Sequence, residues 1–457
     1  MDIAFTSVTE LSTAIAARKI SAVDALEGHL AQIDSHNEAV NAVVILDRES
    51  ARQAALQADA AVARGDALGP LHGVPFTLKD THDTAGLKTT VGFPPFADHV
   101  ARLDSPVVSR LRAAGGILIG KTNVPAMLGD WQSDNPLFGR TSNPWDLSRT
   151  AGGSSGGAAA ALATGMTPFE LGTDMQASIR LPVAFCGVYG LKPTEHRVSL
   201  AGAFPDPGGT ARSVRLMSCV GPLARNPEDL ALIYRIVAGP DAIDTDLPPL
   251  PVEPMPKLEL KSLRIAVANA FPGFPVAAEI ISAVERLAAQ LASAGVRIEE
   301  AKLPKLDLYD DLAEGGKLIG MMLEAAQPNP PEQPATVSHW FAALARRDRS
   351  ILAWERFFET CDALLCPVAM TGAFPHCEPG SPLQVNGKNE SYWMLPAHGA
   401  VFNYSGHPAL TFPYGQDSSG LPIGLQLVGR RWSESRLLGI VAAIASISGG
   451  YRRPPGY

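Results

Sequence analysis

Residues 151–158 read Ala-Gly-Gly-Ser-Ser-Gly-Gly-Ala and run directly into Ala159-Ala160-Ala161-Leu162. A run of glycine and serine is usually a flexible linker. A linker, however, is not followed at once by residues that favour a helix, and glycines on both sides of two serines suit a tight turn. The stretch therefore predicts a turn that presents a serine hydroxyl at the start of a tightly packed helix over 155–164.

Strands and helices alternate along the chain on both sides of this turn. The apolar run 74–78 predicts a buried strand that ends at Lys79. Further along, 264–267 and 296–298 predict strands joined by a helix over 277–295, which is a βαβ unit. This alternation predicts the α/β class, with a single α/β/α domain around a large mixed β-sheet that spans the whole chain.

The pattern divides the expected domain into segments. Residues 1–65 predict an N-terminal helical segment, and residues 69–239 hold the core motifs. A proline-rich connector covers 239–256. Residues 303–400 are less regular, and long irregular segments beside a regular sheet are often lids or pocket walls. We therefore expect 303–400 to form a variable lid and pocket segment.

The composition is that of a compact globular protein with an acidic surface. Of the 457 residues, 46% are apolar and 18% are charged, and the net charge is −8. This balance favours a large buried core and argues against a nucleic-acid groove. The N-terminus carries Asp2 where a signal peptide needs basic residues, and the apolar run 437–447 is too short to span a bilayer. We expect no nucleic-acid partner and no membrane association.

The cysteines give no sign of a disulfide framework or a metal site. Their number is odd and no CxxC pair occurs, so neither paired bridges nor zinc ligands are indicated. We expect a reducing cytoplasmic compartment, no metal and no cofactor. The five residues are Cys186, Cys219, Cys361, Cys366 and Cys377.

Residues 115–122, Gly-Gly-Ile-Leu-Ile-Gly-Lys-Thr, fit the phosphate-loop pattern GxxxxGK[ST]. In a true phosphate loop the motif follows a strand and opens a helix. Here the central Ile-Leu-Ile favours an extended buried strand, and Pro125 interrupts any helix that would follow. We therefore set nucleotide binding aside as the weakest alternative.

Three residues are candidates for catalysis. A lysine at the end of an apolar strand, such as Lys79, more often extends to solvent, but if it is buried its pKa falls and the neutral amine can act as a base. Ser154 lies in the glycine-flanked turn. Ser178 lies in the segment 172–182, Gly-Thr-Asp-Met-Gln-Ala-Ser-Ile-Arg-Leu-Pro. Alone, Ser178 is one serine in an apolar stretch, so these residues carry a functional meaning only as a set.

Taken together, the stretch from 69 to 194 resembles the amidase signature family. The resemblance extends to 403–410 and 420–429, whereas residues 240–400 lack clear family motifs. Besides the lysine strand, the matching motifs are Asp104-Ser105-Pro106-Val107-Val108, Gly120-Lys121-Thr122-Asn123, Asn143-Pro144-Trp145-Asp146, the glycine-serine run 152–157, and Gly187-Val188-Tyr189-Gly190-Leu191-Lys192-Pro193-Thr194.

The resemblance implies a Ser–Ser–Lys triad. Lys79 matches the general base, Ser154 the bridging serine that follows a cis peptide bond, and Ser178 the nucleophile. The separation of the two serines, 178 − 154 = 24, is the spacing found in the family. Three further residues match supporting positions: Ser155 by a hydrogen bond within the network, and Asp174 and Arg180 by holding the nucleophile loop as a buried pair. For two isolated charges, an ordinary salt bridge is the alternative.

The same resemblance places an oxyanion hole in the loop before the nucleophile. The expected donors are the backbone N–H groups of Met175, Gln176, Ala177 and Ser178. Family members usually carry Gly-Gly before the nucleophile, where this chain has Gln176-Ala177. This departure predicts backbone strain, a reshaped acyl pocket or an extra side-chain donor from Gln176.

Trp131 and Gln132 are candidate substrate-binding residues. Trp131 is expected to form a wall of the pocket, although large aromatic side chains more often belong to the core. His82, His196 and His398 match no triad position, and we interpret them as structural or surface residues.

These features predict a serine hydrolase that cleaves an amide-like C–N acyl bond in a small, apolar amide, anilide or carbamate. Within the family the chain looks most like urethane-cleaving amidases. The expected partner is a small-molecule substrate, and the protein is expected to be a monomer or homo-oligomer. Two alternatives remain open: the catalytic subunit of a glutamyl-tRNA amidotransferase-type complex, and a catalytically weak binding protein of the same fold.

Overall fold

A mixed β-sheet of eight strands forms the core of the computed structural model, which describes residues 2–205, 215–325 and 334–457. The α-helices are α1 Val8–Ala16, α2 Ala22–Val40, α3 Arg48–Arg64, α4 Pro106–Ala113, α5 Gly156–Ala163, α6 Arg180–Cys186, α7 Pro227–Val237, α8 Ala278–Ser293, α9 Leu308–Ala325, α10 Val337–Phe357, α11 Ala397–Tyr404 and α12 Glu434–Ser448. The strands are β1 Val43–Leu46, β2 Pro75–Lys79, β3 Ile117–Thr122, β4 Asp134–Asn135, β5 Gly139–Arg140, β6 Ser142–Asn143, β7 Asp146–Thr150, β8 Phe169–Asp174, β9 Tyr189–Lys192, β10 Cys219–Ala224, β11 Arg264–Val267, β12 Arg297–Glu300, β13 Ala363–Pro367, β14 Leu383–Val385, β15 Lys388–Glu390, β16 Ala409–Gln416 and β17 Pro422–Val428.

The eight strands lie in the order β12-β11-β13-β17-β16-β9-β10-β8. Strand β11 runs parallel to β12 and β13, and the other neighbouring pairs are antiparallel. Apolar side chains of one sheet face pack against α7, α8 and α12, and those of the other face pack against α6 and α11. The α/β class and the large mixed sheet are confirmed.

A smaller three-stranded sheet, in the order β1-β3-β2, lies beside strand β8. Hydrogen bonds to side chains join strand β2 to β8 and to Thr167, which precedes β8. The Thr77 N–H donates to Thr167 Oγ1 over 3.1 Å, and the Thr77 hydroxyl donates to Glu170 Oε1 over 2.7 Å. This contact brings the end of β2, at Lys79, next to the end of β8, at Asp174.

The glycine-serine turn leads into α5, as the sequence predicts. Every residue of this helix is buried. Gly157 allows the close packing, because a Cβ there would lie 2.3 Å from the backbone nitrogen of Asn123. The helix therefore rests directly on the loop that follows β3.

Residues 115–122 do not form a phosphate loop. Strand β3 occupies 117–122, so the motif lies across a strand, as predicted. Lys121 is fully buried, and its ammonium donates to the His82 carbonyl oxygen and to Thr89 Oγ1. The lysine side chain that would bind a phosphate in a true phosphate loop is therefore buried and hydrogen-bonded within the protein.

The segment 303–400, which the sequence predicts to be a variable lid and pocket segment, also supplies elements of the core. This segment contains the long helices α9 and α10, and strand β13 lies inside the large sheet between β11 and β17. Strand β13 is five residues long and is held on both sides by partners distant in sequence, so no local periodicity revealed it. Part of the segment, 326–333, lies outside the described residues.

Candidate active site

Lys79 is fully buried where β2 meets β8. Its Nζ lies 2.7 Å from Ser154 Oγ, 2.8 Å from Thr173 Oγ1 and 3.3 Å from the Thr173 carbonyl oxygen. A neutral amine has two N–H donors and one lone pair. With the two N–H groups directed at Thr173, the lone pair is free to accept the proton of the Ser154 hydroxyl.

The pKa of Lys79 is lowered from 10.5 to about 7. Burial is the main cause, because it penalises the charged ammonium, while the carboxylates of Asp174 and Glu170 act in the opposite direction. Burial also raises the pKa of Glu170 to about 7, although hydrogen bonds such as that from Thr77 partly offset the effect. A substantial fraction of Lys79 is thus a neutral base near neutral pH.

Ser154 lies in the turn before α5 and is 1% exposed. The peptide bond between Gly153 and Ser154 is cis, which is the conformation that the resemblance implies. The Ser133 hydroxyl holds the turn, since it donates to the Gly152 carbonyl oxygen and accepts from the Gly156 N–H, both over 3.0 Å. The Ser154 hydroxyl is thereby directed at Lys79.

Ser178 lies against the same turn and is 6% exposed. The Ser155 N–H donates to the Ser178 carbonyl oxygen over 3.1 Å, which fixes the loop that carries Ser178 beside the turn. Among the described residues, the Ser178 hydroxyl has no hydrogen-bond partner, so the bond from Ser178 to Ser154 is not formed here. Catalytic hydrogen bonds are often long or misaligned in a free enzyme and tighten when substrate binds.

Ser155 is expected to hydrogen-bond within this network, but its hydroxyl does not do so. Ser155 Oγ is buried without a partner and points towards Gly172. The supporting contact of Ser155 comes instead from its backbone N–H.

Asp174 and Arg180 form a fully buried ion pair, with Arg180 Nε 3.0 Å and Nη2 3.1 Å from the carboxylate. Burial raises the pKa of Asp174, but Arg180 and further donors more than offset this and lower it to about 2. Arg180 also donates to the Gly399 carbonyl oxygen, Gln426 Oε1 and Asn403 Oδ1. The pair therefore belongs to a network that joins β8, α6, α11 and β17.

Ala177 does not offer its N–H to the active-site cleft. That N–H donates to Asp174 Oδ1 over 2.9 Å and lies 3.2 Å from Asn403 Oδ1, so its inclusion among the oxyanion donors is wrong. Of the four expected donors, Met175, Gln176 and Ser178 keep N–H groups without an acceptor among the described residues.

The expected backbone strain occurs at Ala177, which has a φ of +67°. An L-residue in this region is disfavoured relative to glycine. The Ala177 methyl group is fully buried, and a Cβ added at Gly399 would lie 2.6 Å from it. The side chain at position 177 therefore occupies space that Gly399 leaves open.

Gln132 does not point a free amide at a substrate. Its Nε2 donates to the Cys377 carbonyl oxygen over 2.7 Å and to Tyr392 Oη over 3.3 Å, and its Oε1 accepts from the Cys377 N–H. The assignment of Gln132 to substrate binding is therefore wrong, because both ends of the amide hold the segment around Cys377. Trp131 is 7% exposed and belongs to an apolar cluster that includes Ala177, so it remains a candidate wall.

The three histidines set aside in the sequence lie apart from the triad contacts. Both ring nitrogens of His82 are buried without a hydrogen bond, and His398 Nε2 accepts from the Phe271 N–H over 3.4 Å. The ring nitrogen Nε2 of His196 lies 3.7 Å from Oε1 of the neighbouring Glu195. Within the described residues, none of the three hydrogen-bonds to Lys79, Ser154 or Ser178.

Residues 2–205, 215–325 and 334–457 contain no group of three or more His, Cys, Asp or Glu side chains that could hold a metal ion. None of the helices in those ranges is long and apolar enough to cross a bilayer.

A family model described as Amidase matches residues 24–318 and 316–438. The chain belongs to the amidase family. The fold and the family that the sequence predicts are thus confirmed.

Amidase-family relatives match this chain along nearly its whole length. A glutamyl-tRNA(Gln) amidotransferase subunit of Moorella thermoacetica is 33% identical over 497 residues, which cover 100% of this chain and 99% of the relative. The acylamidase of Rhodococcus erythropolis is 32% identical over 472 residues, which cover 96% and 95%. A solved structure of 6-aminohexanoate cyclic dimer hydrolase complexed with substrate matches with a TM-score of 0.83 and 27% identity, covering 100% of this chain and 99% of that one.

Three further residues of the candidate site were not predicted from the sequence. Thr173 binds Lys79 and lies one residue before Asp174, so the loop motif already contained it. Asn403 and Gln426 bind Arg180 and lie in the C-terminal segments that were noted only for their resemblance to the family. A buried guanidinium needs acceptors for its five N–H groups, so burial of Arg180 by itself predicts such partners.

Replacement of Lys79 by methionine is expected to alter the pH dependence of stability. Between pH 7 and 10.5 the unfolded chain binds more protons than the folded one at Lys79, so wild-type stability rises with pH through that window. The free energy of unfolding of Lys79→Met, minus that of the wild type, should fall by on the order of 2 kcal/mol between pH 7.5 and 9.5. Urea denaturation at both pH values measures it, and an unchanged difference would mean that the pKa of Lys79 is not lowered.

Proposed function

We propose that this protein is a serine amidase in which Ser178 attacks an amide-like carbonyl carbon and Lys79 acts through Ser154 as the base. The observation that carries the proposal is the 2.7 Å contact between buried Lys79 and Ser154, in a turn that lies against Ser178. A buried lysine with a lowered pKa, next to a hydroxyl, is the arrangement that activates a weak nucleophile.

The proposed reaction moves one proton along this chain of groups. As Ser178 Oγ bonds to the carbonyl carbon, its proton passes to Ser154 Oγ, and the Ser154 proton passes to Lys79 Nζ. The C–N bond then breaks while a proton returns through Ser154 to the leaving nitrogen, because an amine departs readily only when protonated. Water attacks the acyl group on Ser178 by the same route, which releases the acid and restores the enzyme.

The developing oxyanion would be bound by backbone N–H groups of Met175, Gln176 and Ser178. These groups are unpaired among the described residues, and the Asp174–Arg180 network fixes the loop before the reaction starts. Donors that are oriented in advance need no reorganisation in the transition state.

The proposed substrates are small apolar amides, anilides and carbamates. The apolar cluster that contains Trp131 and Ala177 supports an apolar group beside the acyl carbon. The replacement of a glycine pair by Gln176-Ala177 supports a substrate other than a simple amide, and the resemblance to urethane-cleaving amidases adds carbamates.

The five cysteines are all free thiols, which supports the cytoplasmic location that we propose.

A second candidate function is that of one component of an amidotransferase complex. It is favoured by the 33% identity with the Moorella thermoacetica protein along the whole chain. In that case a second protein would copurify with this one, and glutamine would be its amide substrate. Affinity purification from the native cell, followed by a glutaminase assay, distinguishes the two candidates.

Replacement of Ser178 by alanine is expected to abolish hydrolysis and leave the fold intact, because the proposal contains no other nucleophile. The test uses a panel of amides, anilides, carbamates and esters with mass-spectrometric detection of products. Ser293→Ala, which removes an exposed hydroxyl on α8, is the matched control and should retain wild-type rates. Wild-type turnover by folded Ser178→Ala protein would refute the mechanism.

The double change Gln176→Gly and Ala177→Gly is expected to alter substrate preference more than reactivity. The N–H of residue 177 stays paired with Asp174, and the remaining donors are backbone groups that glycine also provides. Removal of one oxyanion donor typically costs about 10²–10³ in rate, so a change well below that size, and unequal between substrates, is expected. Kinetics on one matched amide and carbamate pair measure it. An identical change on both substrates would show that the loop sets overall reactivity.

A further inference from the structure

The side chain of Asn403, on α11, is 2% exposed and joins several distant parts of the chain. Its Nδ2 lies 2.9 Å from Asp174 Oδ1, 3.1 Å from the Asp174 carbonyl oxygen and 3.2 Å from the Met217 carbonyl oxygen. Its Oδ1 accepts from Arg180 Nη2 over 2.6 Å and lies 3.2 Å from the Ala177 backbone nitrogen. One carboxamide therefore binds four residues that lie 186 to 229 residues earlier in the chain.

The chemistry of these contacts allows only one orientation of the Asn403 carboxamide. The nitrogen faces acceptors, which are a carboxylate and two carbonyl oxygens, and the oxygen faces donors, which are a guanidinium and a backbone N–H. A rotated amide would set its nitrogen against those donors and its oxygen against the Asp174 carboxylate. A carboxylate at position 403 would lack the donors and place a second acid beside Asp174. The site therefore requires a side chain that is both donor and acceptor.

The oxygen of this carboxamide acts on the peptide between Gln176 and Ala177. The Ala177 N–H is held by two acceptors, Asp174 Oδ1 and Asn403 Oδ1, while the residue has a φ of +67°, which is unfavourable for an L-residue. Gln176 and Ser178, on either side, keep N–H groups without an acceptor among the described residues. The bonds to Ala177 thus determine which N–H groups of the loop are left for a ligand.

Helix α11 also contacts Ala177 one turn before Asn403. A Cβ added at Gly399 would lie 2.6 Å from the Ala177 methyl group, and the Gly399 carbonyl oxygen accepts from Arg180 Nη1 over 2.8 Å. Residues four apart lie on the same face of a helix. One face of α11 therefore receives the methyl group of Ala177 and, through Asn403, its N–H, so this face acts as a template for the conformation of the loop.

We propose that Asn403 is a positioning residue that holds the loop before Ser178 in the conformation whose unpaired N–H groups bind the oxyanion. The inference rests on the proposed function, because it takes Ser178 to be the nucleophile. Asn403 makes no hydrogen bond to Ser178, Ser154 or Lys79 among the described residues. Loss of its side chain should therefore weaken binding of the oxyanion and leave the ionisation of the base in place.

Two variants separate the hydrogen bonds of Asn403 from its size. Asn403→Asp keeps the shape and an acceptor but loses the donors to Asp174 and Met217. Asn403→Leu has a similar size, removes all of the bonds and adds no charge. Asn269→Asp is the matched control, since Asn269 Nδ2 also donates to a carboxylate, that of Glu285, but in a hydrogen bond exposed to solvent.

The probes are benzyl trifluoromethyl ketone and the corresponding alcohol, with dissociation constants Kd measured by calorimetry. Ser178 Oγ adds to the carbonyl carbon of the ketone while its proton passes to Ser154, and the carbonyl oxygen becomes an oxyanion. The alcohol has nearly the same shape but cannot form this adduct. In both Asn403 variants we expect Kd of the ketone to rise about 10²-fold, the scale on which one oxyanion donor acts, and Kd of the alcohol to stay within about twofold. The Asn269→Asp control should bind both probes as the wild type does.

The pH dependence of adduct formation gives a second readout. For Asn403→Leu, the rate of addition to the ketone should fall at every pH, while the ionisation near pH 7 stays where it is in the wild type, because the surroundings of Lys79 are unchanged. A shift of that ionisation would mean that Asn403 acts through the base and would overturn the inference.

The outcomes distinguish this inference from the proposed function. A wild type that binds the ketone no more tightly than the alcohol would refute the proposed function itself, because Ser178 would then form no adduct. A wild type that prefers the ketone, with variants that retain this preference or that weaken both probes equally, would overturn only the inference. Failure of both Asn403 variants to fold, by circular dichroism, would also overturn it, because Asn403 would then support the fold and not the oxyanion site.

Discussion

The arrangement of the candidate active site depends on the amine of Lys79, which is buried in the protein interior. Lys79 ends β2, the neighbouring Thr173 precedes the end of β8, and Ser154 lies in the turn that opens α5, so three segments meet at one nitrogen. Burial lowers the pKa of that nitrogen to about 7, which makes it a base at neutral pH. The all-buried helix α5 and the side-chain bridge between β2 and β8 are the scaffold that keeps water away from the amine.

A second constraint positions the loop that carries Ser178, the proposed nucleophile. The Asp174 carboxylate binds the N–H groups of Ala177 and Ile179 as well as the guanidinium of Arg180, so a single side chain organises the loop on both sides of Ser178. Arg180 is in turn bound by Asn403 and Gln426, which lie more than two hundred residues further along the chain. The loop is therefore held by hydrogen bonds on both sides of Ser178, and two of these, from the Ala177 N–H to Asp174 and to Asn403, accompany the positive φ of that residue.

The sequence predicted those parts of the fold and site that are encoded locally. The strand ending at Lys79, the turn at 152–157 with its helix, and the βαβ unit around α8 each follow from a short pattern of apolar, glycine and helix-forming residues. Strand β13 was missed because its place between β11 and β17 is decided by partners distant in the chain. Gln132 was misassigned for the same reason, since its amide is satisfied by Cys377, 245 residues away. The use of the Ala177 N–H by Asp174 depends on the three-dimensional course of the loop, which no spacing in the sequence reports.

The proposed mechanism requires the neutral form of Lys79 to activate Ser178. The most direct test is the rate of acyl-enzyme formation on Ser178 as a function of pH, measured by rapid quench and mass spectrometry of the intact protein with a slowly deacylated anilide. Because only the neutral amine can accept a proton, we expect the rate to rise about tenfold per pH unit below a single ionisation near pH 7 and to be level above it. An acylation rate that stays constant from pH 5 to pH 9 would contradict the claim.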